Sequence, residues 1–307
     1  KNHSGDQGMA GSLMPATITL PAPAKLNLFL HITGRRPDGY HLLQTVFQIL
    51  DFGDELTFSL NDDNRINLRS NLADVPTTQN LVMRAAHLLQ AHSHCALGAD
   101  ITLTKRLPMG GGLGGGSSDA ATTLLGLNKL WDLQLDIDTL ARLGLQLGAD
   151  VPVFVRGHSS WAEGIGEILT PIELPEQWFV VLTPDCSINT ADIFSAEQLT
   201  RNTAAITIAA FSQGGNQIAT RNDCQPVVEQ AYPAVRNVLK WLSSHTACRM
   251  TGTGSSVFAG LPTREQAEAV LAQKPIGVSG FVAKGVNISP TLCQLQPETD
   301  YRGIAKR

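Results

Sequence analysis

Apolar and polar positions alternate along the chain in short blocks, and the period of each block predicts an element. Residues 16–20 (ATITL) and 26–33 (LNLFLHIT) alternate with period two and predict strands, separated by the PAPAK segment 21–25. GRRPDGYH at 34–41 reads as a turn around Pro-Asp-Gly. Strands are expected at 43–50 and 54–60, and the polar run 61–64 predicts a turn. Asn80 is placed to cap a helix carrying Leu81, Ala85, Leu88 and Leu89 on one side. Residues 99–105 (ADITLTK) predict a strand, 117–131 a helix, and 138–147 a second helix closed by Gly148. Residues 160–171 predict strand, turn, strand, and 178–182 a buried strand. The segment 195–221 has weak helical signal and is expected to be the most mobile part. Residues 226–243 predict a helix, and Thr263 with Gln266 predicts a capping box for a helix reaching Gln273. Strands are expected at 257–259 and 281–287. Strands, then helix, strand and two successive helices, followed by a mixed second half, indicate an α+β fold rather than a doubly wound sheet.

One stretch interrupts this patterning. Between the strand at 99–105 and the helix at 117–131 lies PMGGGLGGGSS, residues 108–118, in which six of eleven residues are glycine. Glycine lets backbone approach a ligand closely. A helix N-terminus presents unpaired N–H groups and a positive dipole end. Together they predict a phosphate site. Gly110, Gly112 and Gly115 match G-x-G-x-x-G, but a helix follows where a dinucleotide fold needs a parallel strand. No lysine follows Gly116, so the P-loop pattern fails, and neither H-R-D nor D-F-G is present. A second Gly/Ser loop occupies 251–256 (TGTGSS). Asp150 sits between a helix stop and an apolar segment, where a helix cap and a functional acid are both sensible.

Composition narrows the class. The 307 residues are 43% hydrophobic and 16% charged, enough for two folded domains. The net charge of −4 and the lack of a Lys/Arg stripe argue against nucleic acid as a partner. No apolar run approaches the roughly 20 residues needed to cross a bilayer. Five separated cysteines, without a C-x-x-C pair, fit reduced thiols in a bacterial-type cytoplasm. Residues 1–14 read as a disordered tail or cloning remnant, with Met9 or Met14 as candidate starts. His92-Ser93-His94 has no third ligand nearby and reads as a solvated helix end.

Four stretches carry a family resemblance: PAKLNL at 23–28, RPDGYH at 36–41, the loop 107–118 and GADVP at 148–152, with TGTGS at 251–255 as a fifth. They resemble the GHMP small-molecule kinases, from about Leu20 to Pro290. Within them the chain looks more like the branch acting on a cytidine diphosphate-linked methylerythritol in the non-mevalonate isoprenoid precursor pathway. The resemblance implies a two-domain α+β fold. A ribosomal-protein-like ATP-binding domain with a left-handed β-α-β unit is expected over 15–160, and a ferredoxin-like α/β sandwich contributing to substrate binding over 161–307. It implies ATP as phosphoryl donor and the acceptor's 2-hydroxyl, a tertiary alcohol, as nucleophile. Magnesium is expected, with ligands unknown. By resemblance Asp150 is the catalytic base and Lys25 its cationic neighbour. Pro108, Met109, Gly110, Gly111, Gly112, Leu113, Gly114, Gly115, Gly116, Ser117 and Ser118 bind ATP. Tyr40 and Phe194 stack on the cytosine, His41 bonds its edge, and Asn27 and Thr190 make polar contacts to the substrate. Asp119 is expected either as a helix-start residue pointing away or as a water-mediated magnesium contact, and Asn80 as a cap or an adenine contact. A monomer or weak homodimer is expected. The alternatives are a sister kinase acting on homoserine or mevalonate, and a nucleic-acid-binding module.

Overall fold

The computed structural model describes residues 17–72, 76, 79–213 and 220–295; the expected tail, with Met9 and Met14, lies outside them. The chain opens with two long antiparallel strands, β1 (Thr17–Arg35) and β2 (His41–Ser59). The bend between them is closed where the Arg36 N–H donates to the Tyr40 carbonyl. PAPAK does not break β1 as its prolines suggest. It is absorbed as a register shift between Pro23 and Lys25. Proline has no N–H to give a ladder and is accepted at edges and bulges. The expected strands 43–50 and 54–60 are likewise one strand, because β1 continues opposite them, with Pro23 facing Gly53 and Pro21 facing Glu55.

The free edge of β1 has a separate use. The Lys25 N–H donates to the Leu113 carbonyl, that of Asn27 to Thr251 Oγ1 and that of Leu30 to the Arg221 carbonyl. Three loops distant in sequence therefore dock on one strand edge, as the demand for buried N–H groups to be paired requires.

β3 (Ile66–Ser70) pairs in parallel with β4 (Ala99–Thr104), with α1 (Leu81–Ser93) between them in the chain. β3 was not legible in sequence, since its five residues are half-buried or exposed and carry no apolar stripe. Asn80 caps α1, its side-chain oxygen accepting from the Val82 N–H at 2.9 Å. α2 (Gly115–Leu130) packs on β1, β2 and α1, with Leu124 and Leu127 wholly buried; each such leucine contributes about 1.5–3 kcal/mol. α3 (Ile137–Leu145) and α4 (Val151–Arg156) complete this layer, followed by the hairpin β5 (Ser160–Glu163) and β6 (Ile168–Pro171).

In the second half come β7 (Trp178–Pro184), α5 (Thr190–Ser195) and α6 (Ile208–Gln213). The expected helix 226–243 is two helices, α7 (Gln225–Ala231) and α8 (Pro233–Ser243). Pro233 forces Tyr232 out of helical geometry, to φ −124° and ψ 90°. β8 (Arg249–Met250), β9 (Val257–Leu261), α9 (Arg264–Ala272) and β10 (Val278–Val286) follow. Thr263 caps α9 by accepting from the Gln266 N–H. The strands run in the order β3-β4-β2-β10-β7-β9-β8. β10 links the two halves, pairing with β7 along most of its length and with β2 at Gly285 and Val286.

Candidate active site

The glycine loop hangs between β4 and α2, and a buried ion cluster fixes its root. Asp54, wholly buried, accepts from the N–H groups of Arg106 at 2.6 Å and Leu107 at 2.8 Å, and pairs with the Lys105 ammonium. Lys105 also donates to Asp119 Oδ2 at 2.8 Å. Burial pushes the Asp119 carboxyl up, to about 7; Lys105 opposes this and Asp54 adds to it. Burial works against the charge on Lys105, but Asp119 and Asp54 outweigh it and raise its pKa. Asp119 is thus not the first-turn residue expected from sequence. α2 starts at Gly115, two residues earlier than predicted, and its first turn contains no acid.

Gly114 occupies the N-cap with φ 72° and makes no side-chain cap. No side chain therefore competes with an anion for the first N–H groups of α2. Above them lies a cavity of about 370 Å³. Pro108 through Ser117 all line it, joined by Asn80, Lys105 and Asp119. Ser118 does not; it is fully buried. Asn80 both caps α1 and faces the cavity.

The irregularity in β1 aims Lys25 inward, where only 3% of the residue is exposed. Its Nζ donates to Asn27 Oδ1 at 2.6 Å and to the Gly112 carbonyl at 3.0 Å, and lies 3.3 Å from Asp150 Oδ2. Three oxygens offset the cost of burying the ammonium. Asp150 stands at the N-cap position of α4, yet its side chain caps nothing and turns to Lys25 instead. The backbone position is that of a cap, but the carboxylate bonds no N–H of α4, so the side-chain cap expected from sequence is not made. Asn27 is held by its side-chain amide, which donates to Thr45 Oγ1. The second Gly/Ser loop clamps the first: Ser256 N–H donates to the Gly111 carbonyl at 3.1 Å and Thr251 Oγ1 to that of Gly112 at 3.3 Å. Lys25, Asn27, Asp150, Gly252, Thr253 and Gly254 surround a second cavity of about 300 Å³.

A third cavity, about 590 Å³, is walled by Tyr40, His41, Thr190 and Phe194. Tyr40 ends the β1–β2 turn, His41 opens β2, and Thr190 and Phe194 lie on α5. Phe194 stacks on His41, ring centroids 5.0 Å apart and planes 26° from parallel. Tyr40 stands at the rim, 59% exposed. Thr190 shares a 3.0 Å hydrogen bond with Thr253. His41 Nε2 accepts from Arg201 Nε at 3.1 Å. Burial lowers the His41 pKa, and the Arg201 and Arg35 charges lower it further. Arg201 was missed in the sequence because it lies in the 195–221 stretch, which has no period and no motif. That stretch is also anchored where described, with the Ile206 N–H donating to Gln44 Oε1 and the Thr203 N–H to the Ile32 carbonyl.

The three cavities adjoin. Gly110, Gly112 and Gly114 line both the first and the second; Thr190, Phe194, Ala149 and Ile165 line both the second and the third. Lys25 and Asp150 stand in the middle of one continuous track. His92 and His94 end α1 in solvent, and among the described residues no group of three or more His, Cys, Asp or Glu is arranged to hold a metal. No helix among the described residues is long and apolar enough to cross a membrane.

Residues 80–158 match the model of the GHMP kinases N-terminal domain and residues 201–273 that of the GHMP kinases C-terminal domain. The chain is 58% identical over 279 residues to 4-diphosphocytidyl-2-C-methyl-D-erythritol kinase of Pseudomonas putida (strain W619), covering 91% of this chain and 96% of that one. It is 57% identical to the enzyme of the same name from Pseudomonas syringae pv. syringae (strain B728a), covering 91% and 98%. A crystal structure of 4-(cytidine 5'-diphospho)-2C-methyl-D-erythritol kinase superposes with a TM-score of 0.73 at 30% identity, over 88% of this chain and all of that one. Homoserine kinase from Cytophaga hutchinsonii shares the fold, with a TM-score of 0.65 at 18% identity over 94% and 99%.

Proposed function

The chain belongs to the 4-diphosphocytidyl-2-C-methyl-D-erythritol kinases of the GHMP family, and we propose that its three cavities take, in order, the ATP phosphates, the reacting hydroxyl and the cytosine end of the acceptor. It is an ATP-dependent small-molecule kinase. The acceptor is 4-diphosphocytidyl-2-C-methyl-D-erythritol, phosphorylated on its 2-hydroxyl, and the products are the 2-phosphate and ADP. The observation that carries the residue assignment is the placement of the Lys25–Asp150 pair between the glycine-loop cavity and the aromatic cavity.

Phosphoryl transfer asks the protein for alignment, charge neutralisation and a proton acceptor. Asp150 accepts the proton of the attacking hydroxyl, a contribution of roughly 10²–10⁴ in rate. Lys25 pairs with that carboxylate and faces the charge developing on the transferred group. Because Lys25 is itself held by Asn27 and the Gly112 carbonyl, the loop that binds phosphate also sets the position of the lysine. The free N–H groups of α2 and the loop hold the triphosphate. Magnesium, when bound with the nucleotide, would supply charge neutralisation to the phosphates. Asp119, whose Oδ1 is buried without a hydrogen-bond partner and which lines the glycine-loop cavity, would be the residue to hold it. At the far end Tyr40 and Phe194 offer ring faces to the cytosine, with His41 at its edge. The unpaired cysteines among the described residues suit a reducing cytoplasm.

A sister kinase for homoserine or mevalonate has no use for the aromatic cavity, because those acceptors carry no base. ADP release with magnesium-ATP, measured over the cytidine acceptor, mevalonate and homoserine, separates the readings. The cytidine acceptor is expected to turn over at least about 10³-fold better in kcat/KM, as a few buried polar and stacking contacts supply. Comparable turnover of either small acceptor would defeat the assignment.

A further inference from the structure

We propose that Arg201 is a positioning residue that sets the tautomer and the ring orientation of His41, and so the hydrogen-bonding face which the aromatic cavity shows to a pyrimidine. The inference rests on the reading of that cavity as the base pocket. Every polar atom of the arginine is a donor. Nε donates to His41 Nε2 at 3.1 Å, Nη1 to the Leu199 carbonyl at 3.1 Å, and Nη2 to the carbonyls of Phe194 at 3.0 Å and Ala196 at 2.7 Å. Arginine cannot be deprotonated in a protein, so the imidazole nitrogen that faces it must carry the lone pair. The proton of neutral His41 is then on Nδ1. Among the described residues the hydrogen bond made by the His41 ring is the one from Arg201, at Nε2.

The three carbonyl bonds matter as much as the fourth. They come from the C-terminal end of α5 and the turn after it, the segment that carries Phe194. One planar fork thus fixes both walls of the cavity: Phe194 through its backbone, and His41, from the other half of the chain, through its ring. The stack of Phe194 on His41 then leaves imidazole rotation little freedom. A cavity furnished with an Nδ1–H donor recognises an acceptor on the pyrimidine edge, a ring nitrogen or a carbonyl oxygen. The opposite tautomer could not present that N–H there.

The test begins with the wild-type protein and no substrate. Long-range ¹H–¹⁵N correlation of ¹⁵N-histidine protein, assigned with His41→Gln, is expected to show His41 protonated on Nδ1 and bare on Nε2. Because no acceptor is present, this result is independent of which acceptor the enzyme takes. In Arg201→Met the Nε2-protonated tautomer should appear, and KM for the cytidine acceptor should rise about tenfold, the loss of one fixed hydrogen bond, while KM for ATP stays near wild type. Arg201→Lys, which can donate to His41 but cannot span three carbonyls, should restore the tautomer and only part of the KM. Wild-type His41 protonated on Nε2 would overturn the proposal. So would an Arg201→Met protein that keeps the wild-type tautomer, or one that raises KM for ATP and for the acceptor equally, the mark of a merely structural residue.

Discussion

Gly112→Ala probes the junction on which the catalytic geometry depends. Gly112 has φ 73°, and a Cβ there would lie 2.3 Å from the Thr251 carbonyl oxygen and 3.1 Å from that of Gly254. Ordinary contact begins at 3.4 Å, so the two loops must part by about 1.1 Å, the difference between 2.3 Å and 3.4 Å. The displaced atoms are consequential, since the Gly112 carbonyl holds Lys25 Nζ and Thr251 Oγ1 holds the Asn27 N–H. A shift of about 1 Å in a reacting group costs on the order of 10² in rate. Left-handed backbone adds about 1–2 kcal/mol of strain. Gly110→Ala isolates the strain: φ is 66°, but nothing lies within 4 Å of its Cβ. Steady-state kcat by coupled ADP release should fall about 10²-fold in Gly112→Ala and no more than about tenfold in Gly110→Ala. Thermal melting of both proteins reports the shared strain. Equal kcat losses in the two variants would refute the contact argument and leave backbone strain as the only effect.

Asp150→Asn and Lys25→Met should each lower kcat by about 10²–10⁴ while ADP binding by calorimetry stays within about threefold, the change expected where the loop keeps its N–H groups. Asp54→Ala leaves the buried N–H groups of Arg106 and Leu107 without their acceptor and Lys105 with Asp119 as its remaining carboxylate partner. Urea unfolding should show a loss of about 3–5 kcal/mol, and a loss under 1 kcal/mol would mean that water reaches the cluster. His41 has a pKa below the usual 6.5, set by burial and by Arg201 and Arg35, with Asp38 also facing its cavity. Below 6.5 the unfolded chain takes up a proton that the folded site refuses, so this residue's contribution to stability falls as pH drops through its folded pKa. kcat/KM for the cytidine acceptor should fall in the same window, and KM for ATP should not follow it.

The glycine loop was legible from local chemistry, as a glycine run at a helix start, whereas Lys25, Asp150 and Tyr40 were singled out through the family resemblance, since a proline-flanked bend, a helix stop and a turn do not by themselves specify a role. What joins them was not legible. The docking of three loops on the free edge of β1 is a tertiary arrangement with no period of its own, so PAPAK reads as a break although the strand continues through it. β3 was invisible because its pairing with β4, not its own burial, holds it. Asp119 looked like a helix-start acid because helix onset is uncertain by a turn in a glycine-rich stretch, and a shift of two residues turned its carboxylate to Lys105. Arg201 acts almost wholly on backbone carbonyls, whose positions no residue pattern records.

The central claim is that Asp150 takes the proton from a tertiary hydroxyl held between the phosphate and base cavities. Phosphorus NMR of the product formed from 4-diphosphocytidyl-2-C-methyl-D-erythritol and magnesium-ATP tests it directly, with the wild-type and Asp150→Asn proteins run in parallel. The account predicts a single new phosphate monoester on the 2-hydroxyl, formed by the wild type and reduced at least about 10²-fold in rate in the variant. A monoester at another hydroxyl, or its undiminished formation by Asp150→Asn, would contradict it.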